Sequence, residues 1–296
     1  MFRRSTAGLA AAILVATALT ACTGGPGASP SPSVPADCKP AHTFTTLKPG
    51  VLTVSTYAVP PFAIVTGREI SHDGVPVTQG GTLEGVDGDI INEIAAKECL
   101  VVEVNSTVAA GVLPTVRGGG ADVGVGDWYR TKERAQTIDF THPVYVDPVA
   151  FISRDGISEV GQLQGRKVGT VHGYQYVADL RNLLGENLVL YNSPLTMFRE
   201  LKEGSIDVAV DSVGIGTEFT RDTDLKVAAV EPSDKLSASV EPGQSAFVVQ
   251  QGRTELLAAL DAGIKEMHAN GRIAEILTKN GLDPAMAETG EPRLMG

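Results

Sequence analysis

The chain carries no Gly-x-Ser-x-Gly turn of the kind that exposes a nucleophilic serine, and no P-loop to cradle a nucleotide's phosphates. Its histidines, His42, His72, His142, His172 and His268, are scattered without the paired spacing of a metal site. Heptads and long repeats are missing as well. Positive charge is scarce: 24 Lys and Arg stand against 35 Asp and Glu, a formal net charge of −11. That balance argues against nucleic acid and against anionic membrane surfaces as primary partners. What is present is a 296-residue chain, 43% hydrophobic and 20% charged, with material for one large domain or two smaller ones around an ample core. Neither a cofactor nor a metal is expected.

Cysteine is sparse too, three in all, at Cys22, Cys38 and Cys99. Arg3 and Arg4 precede an apolar run from Ala7 to Leu19, short for a membrane span and suited to a secretion signal. Leu19-Thr-Ala-Cys22 resembles a bacterial lipobox, which implies cleavage before Cys22 and a lipid on its thiol. The expectation is a signal peptide over 1–21, then lipidated Cys22 and a tether over 22–47, the first part of it rich in Gly, Pro and Ser. With Cys22 so used, Cys38 and Cys99 are an even pair in an oxidising exterior. A disulfide between them is expected, the alternative being two separate buried thiols.

The most informative stretch runs from Asp122 to Tyr145. Asp122 to Val125 reads as a short buried strand. Gly126 follows, and glycine lets a backbone approach a ligand closely. Thr131 has the chemistry of a helix N-cap, and Arg134 falls on the first turn after it. A guanidinium beside free helix-start N–H groups suits a carboxylate. Asp127 beside Trp128 suits a cationic or amine-bearing group; the bland alternative wedges Trp128 in a lobe interface. Elsewhere, Val51 to Ser55 reads as a strand, Thr66 to Leu83 as a hairpin or excursion, and Asp87 as the cap of a helix with Ile90, Ile91, Ile94 and Ala95 on its apolar face. Gly204 to Asp211 repeats the Gly-x-x-Asp-strand pattern of Gly119 to Gly126, as two similar lobes would.

Taken together, Asp122, Thr131, Arg134, Asp139, Phe140, Pro143 and Tyr145 resemble the spaced pattern of the substrate-binding proteins of polar amino-acid ABC transporters, solute-binding family 3. Gly85 to Ile90, Leu163 to Val171 and Ala269 to Ile276 resemble further family motifs, so the likeness covers about residues 48–282. It implies an α/β, two-lobed type II periplasmic-binding-protein fold with two extended hinge crossings. Lobe 1 then takes 48–147 and a return over 236–282, lobe 2 takes 148–235, and 283–296 is left as a loose tail. It also implies an extracytoplasmic monomer, anchored to the cell membrane by lipidated Cys22, that closes on an amino acid or related small zwitterion and hands it to an ABC permease.

The resemblance gives Arg134 the ligand's α-carboxylate. It makes Tyr57 and Phe62, after the first strand, candidates to pack on the ligand, the alternative being simple loop packing; Gly126, Asp127, Trp128 and Tyr129 are candidates beside them. Gly173, Tyr174 and Gln175 stand at a strand-to-helix turn where the family usually has small hydroxyls. The family's ammonium-binding aspartate falls here on Ser212, one residue after Asp211, and a slip of one residue turns a side chain to the other face of a strand. Either Asp211 compensates through a local bulge or Asp127 takes the duty across the cleft. Two other readings share the fold: a dehydratase of cyclohexadienyl amino acids, with Asp127 or His172 as general acid or base, and a ligand-sensing lipoprotein.

Overall fold

Val51-Leu-Thr-Val-Ser-Thr56 is rich in β-branched residues and forms β1 (Val51–Thr56), buried along almost all its length. Burial on both faces is what a central parallel strand requires. β1 runs parallel to β4 (Val101–Ser106) on one side and β5 (Val123–Tyr129) on the other. The computed structural model that shows this describes residues 34–35, 37–72 and 75–296. The expected signal peptide, Cys22 and the first part of the tether lie outside the described residues. No helix among the described residues is long and apolar enough to cross a membrane.

The first sheet is completed by a hairpin, β2 (Ile64–His72) and β3 (Val75–Glu84), and by β13 (Gly243–Gln250), β6 (Ile138–Phe140) and β7 (Tyr145–Asp147). Its order is β2-β3-β4-β1-β5-β13-β6, with β7 also on β13. Helices α1 (Gly85–Lys97), α2 (Ala109–Arg117), α7 (Thr254–Ala269) and α8 (Arg272–Lys279) belong to this lobe. α1 buries Ile90, Ile91, Ile94 and Ala95, the face its spacing predicts. Asp87, expected as its cap, does something else: the N-cap is Glu84, and the buried Asp87 carboxylate reaches over to β5. Asp122 ties the sheet to the preceding chain. It is fully buried and accepts from Leu47 N and Thr53 N, both at 2.9 Å, and from Arg253 Nη2 at 3.1 Å. The Cys38–Cys99 disulfide is present and staples the segment before β1 to the end of α1.

The second sheet has the order β10-β9-β11-β8-β12, from β8 (Val149–Ser153), β9 (Val168–Val171), β10 (Leu188–Tyr191), β11 (Val208–Ser212) and β12 (Lys226–Ala229). On one face Phe151, Val208 and Val210 pack with Leu163 and with Leu180 of α4 (Val177–Leu184). On the other, Ile152 and Ala209 belong to a cluster with Met197 and Phe198 of α5 (Pro194–Glu203) and Ile215 of α6 (Val213–Thr220). α5 has an N-cap serine, Ser193, proline at its start and left-handed Gly204 at its end, all placed as sequence rules ask.

Two crossings join the sheets. The first is Pro148, between β7 and β8. The second comes later than the sequence suggests. Leu236 and Ala238 remain buried in the second lobe's cluster, and Ser237 is held there by Asp179 through its N–H (2.9 Å) and hydroxyl (2.8 Å). The chain therefore returns to the first sheet only between Val240 and Gly243. Residues 283–296, expected as a loose tail, are docked. Met286 and Thr289 are buried, and Met295 pairs with Thr131 as an isolated bridge. The sequence offers no periodicity there because, beyond the single turn that buries Met286, the segment is held largely by hydrogen bonds to its backbone.

Candidate functional site

The β5 strand does not end regularly. Val248 pairs with Gly124 and Ala246 with Trp128, so β5 holds two more residues than β13 over the same span. The surplus bulges out at Gly126 and Asp127, whose φ values are 122° and 57°. A side chain at Gly126 is doubly disfavoured: a Cβ there would stand 2.9 Å from the Tyr57 ring. So this glycine makes room for Tyr57. Asp127 tolerates the left-handed region better than most residues, and the bend is held from below. Asp87 Oδ2 accepts Gly126 N at 2.7 Å and Asp127 N at 3.2 Å, while Tyr145 Oη donates to Asp87 Oδ1 at 2.9 Å.

After the bulge, Thr131 caps α3 (Lys132–Ala135), accepting Arg134 N at 3.2 Å. α3 is one turn long, and the Lys132 N–H already donates to Met295 O at 2.9 Å. The free helix start inferred from sequence is thus partly occupied, and Arg134 carries the positive charge of the site. Its Nη1 donates to Tyr129 O at 2.9 Å and its Nη2 to Gly173 O at 3.0 Å; its Cζ lies 5.1 Å over the Trp128 ring. The Gly173 bond crosses between lobes. So does Tyr57 Oη to Tyr174 Oη, 3.1 Å.

Asp127, Trp128, Tyr129 and Arg134 from the first lobe meet Tyr174, Gln175, Tyr176 and Asp211 from the second around one small cavity. Its volume is about 20 Å³, room for about one water, so a larger guest requires the lobes to part. Tyr57 is not among the lining residues but packs behind two of them, its ring centroid 5.8 Å from that of Trp128 and its hydroxyl on Tyr174. Gly126 lies behind Tyr57, and Gly173 forms the rim, where grooves of about 380 and 530 Å³ adjoin. Phe62 is not brought to the cavity. It is fully buried, stacked on Tyr145 at 4.7 Å and set against Gly214 of α6, as an inter-lobe packing residue.

The β11 ladder runs unbroken from Val208 to Ser212 against β8, so no bulge re-aims Asp211. It reaches the cavity from the end of its own strand, and Ser212 caps α6 by accepting Ile215 N at 3.3 Å. Asp211 is fully buried: Oδ1 accepts Ser212 N at 2.9 Å and Oδ2 has no partner. Asp127 Oδ1 and Asp147 Oδ2 are likewise shielded and unpartnered. Burial pushes the Asp127 carboxyl well above the usual range, and the charges of Asp147 and Asp87 push it further. Burial does the same to Asp211, against the Ser212 N–H bond. Asp147, at the first crossing, accepts Gly214 N at 3.0 Å and is raised by burial to about 7. Asp87 is raised by burial to about 6. Asp147 and Asp87 thus act on Asp127 from beside the cavity, and where these buried acids are ionised their field favours a cation.

Tyr176, Asp147 and Asp87 are parts of the site that motif reasoning passed over. Tyr176 sits two residues beyond Tyr174 with its ring edge-on at 5.5 Å. Asp147 had a sequence signal, an acid directly before the hinge proline, but nothing in the sequence says it faces Asp127.

Known proteins share this architecture. The profile of the bacterial extracellular solute-binding proteins, family 3, matches residues 70–282. An L-arginine-binding protein of Pseudomonas aeruginosa is 28% identical over 246 residues, 78% of this chain and 93% of that one. A glutamine-binding protein of an ABC transporter in Bacillus subtilis is 25% identical over 219 residues, covering 70% and 76%. Among solved structures, an amino-acid ABC transporter substrate-binding protein of Streptococcus pneumoniae, bound to L-arginine, superposes with a TM-score of 0.66 at 21% identity, covering 78% of this chain and 94% of its own. That likeness shows the type II periplasmic-binding-protein fold. With two α/β lobes around a polar cleft and a family match over most of its length, the chain belongs to the bacterial extracellular solute-binding proteins, family 3.

Proposed function

We propose that this protein captures an amino acid bearing a cationic side chain, or a closely related amine-bearing zwitterion, and delivers it to an ABC permease. The observation that carries the reading is the pair Asp127 and Asp211, one from each lobe: both line the cavity that Arg134 also lines, and each has a shielded carboxylate oxygen without a partner. An unpaired buried carboxylate is costly, and a guest ammonium or guanidinium removes that cost. Arg134 exchanges its bond to Gly173 O for the ligand's carboxylate, while Tyr57, Trp128, Tyr129, Tyr174 and Tyr176 enclose the aliphatic part. Gln175 donates a polar contact at the rim. The name of the Pseudomonas relative supports arginine as the first ligand to try.

Because residues of both lobes touch such a guest only when the cleft is shut, binding shifts the population toward closure. The role requires no proton transfer, and the ligand leaves unchanged. We further propose that Cys22 anchors the chain to the outer face of the cell membrane, with lobe 1 over 48–147 and lobe 2 from 148, and that the protein works as a monomer. A thermal-shift screen over L-arginine, L-lysine, L-histidine and L-glutamine tests the ligand class, since a bound ligand stabilises the folded state. The basic amino acids are expected to raise Tm most. Stabilisation by L-glutamine alone overturns the cationic assignment.

A further inference from the structure

The chain from Asp283 onward lies beyond the stretch matched by the family, which ends at residue 282. It nevertheless has a built dock. Gln244 on β13 is fully buried, and its side-chain amide serves this segment: Nε2 donates to Thr289 O and Glu291 O, both at 2.8 Å, and Oε1 accepts Arg293 N at 2.8 Å. A buried amide is tolerated only where its donors and acceptor are used, and here they are used by this backbone. Arg130 Nη1 adds a bond to Arg293 O at 3.2 Å. The chain then runs beside the start of α3, with Met295 N donating to Arg130 O and Lys132 N to Met295 O, both at 2.9 Å.

All of these partners belong to the first lobe. The Met295 side chain turns to the second. It packs against the apolar cluster that contains Tyr176 and Leu236, and Gln175 Nε2 lies 3.8 Å from its sulfur. Gln175 stands on the turn that carries Tyr174. The groove of about 530 Å³ at the cleft mouth has Arg134, Tyr174, Gln175 and Met295 in its wall.

We propose that residues 289–295 are a strap, fixed to the first lobe through Gln244 and gripping the second through Met295, that holds the cleft shut and slows exchange of its ligand. Parting the lobes strips Met295 from the second lobe's cluster while the Gln244 anchor stays in place. The contact is present in the closed state and lost in the open one, so its free energy acts on that equilibrium directly. It favours closure without touching the acids of the cavity. The exchange half of the proposal rests on the ligand-binding role above; the closure half does not.

Trp128 supplies the readout. It is the sole tryptophan, 2% exposed, in a cavity wall shared by both lobes, so quenching of its fluorescence by acrylamide in ligand-free protein reports opening. Met295 is only half-buried, so Met295→Ser should leave the fold intact, whereas Gln244→Ala attacks the anchor from within the core. Met295→Ser is expected to raise the quenching constant about twofold or more, and Gln244→Ala to act in the same direction. With L-arginine as the probe, dissociation followed by Trp128 emission should be several-fold faster from Met295→Ser, with association changed less. If L-arginine binds neither protein, the arginine assignment fails and the quenching comparison still decides the strap. Quenching equal to that of the parent, or unchanged dissociation in a protein that binds L-arginine, overturns it.

Discussion

Each lobe brings an aspartate to the cleft near the end of a central strand, and the two do so by opposite means. β5 buckles. It takes in two extra residues, sends Gly126 and Asp127 into positive φ, and hangs both N–H groups on the buried carboxylate of Asp87. β11 stays regular to its last residue, and Ser212 opens the next helix as an ordinary cap. A left-handed non-glycine residue costs of order 1–3 kcal/mol and persists only where its surroundings hold it. The first lobe therefore aims its acid by strain with a support beneath it, and the second by strand parity with a cap after it. Both leave one shielded carboxylate oxygen without a partner. Asp122 is the contrast: as fully buried as Asp211, it accepts from Leu47 N, Thr53 N and Arg253 and serves the fold alone.

The sharpest way to break the comparison is to remove the cation that lines the same cavity as the two acids. Arg134→Ala should cost roughly 2–5 kcal/mol of affinity for L-arginine by calorimetry, the range for truncating one member of a desolvated charge pair. Arg134→Lys should recover little, because the planar fork is lost. Unchanged affinity removes the carboxylate role.

Next come the acids themselves. Asp127→Asn and Asp211→Asn each remove a charge-assisted bond of roughly 1.5–3 kcal/mol if the ligand is dicationic, whereas a single ammonium makes one substitution matter far more than the other. If neither variant loses affinity in titration, the cation is held elsewhere and the amino-acid reading goes with it.

A pH titration tests the field rather than the contacts. Asp147 and Asp87 have folded values of about 7 and about 6 against 3.8 in the unfolded chain. Between those values the folded state binds more protons than the unfolded one, so stability falls as pH rises. The apo protein is expected to have a lower Tm at pH 8 than at pH 5, and Asp147→Asn to flatten that slope. Cation binding should strengthen over the same interval, as the acids lose their protons. A Tm that climbs from pH 5 to pH 8 contradicts the burial assigned to these groups.

The smallest effect belongs to Ser212. Ser212→Ala removes an N-cap worth about 0.5–2 kcal/mol, read as a lower denaturant midpoint. Its affinity for L-arginine should match the parent's, because the hydroxyl faces α6. A loss of affinity larger than the loss of stability places Ser212 in the site after all.

Much of this was open to reading in the chain. The Thr131 cap, Arg134 on the following turn, Ser193-Pro194 and Gly204 around α5, and the apolar face of α1 rest on short-range rules, and each is found where those rules put it. The doubled Gly-x-x-Asp-strand pattern pointed to two similar lobes, and the strand that follows each copy, β5 and β11, lies in a different sheet. Phe62 misled because a proline-flanked aromatic after a strand has the same local pattern whether it faces a ligand or packs between lobes. Asp87 misled because a helix-start acid is usually a cap, and nothing nearby in sequence shows that two N–H groups of Gly126 and Asp127 stand above it.

By itself, then, the sequence determined the elements, their caps, the family and the charged groups available, since those follow from neighbours within a few residues and from spaced motifs. Only the tertiary structure decided that Asp127 and Asp211 share one cavity, that Asp147 and Asp87 act on Asp127, and that a segment without pattern is bonded to Gln244 and packs Met295 on the second lobe. The physical reason is separation along the chain. These contacts join residues well beyond the reach of local sequence rules, through burial and backbone hydrogen bonds, and a backbone carbonyl or N–H leaves no mark in the identity of the residue that offers it.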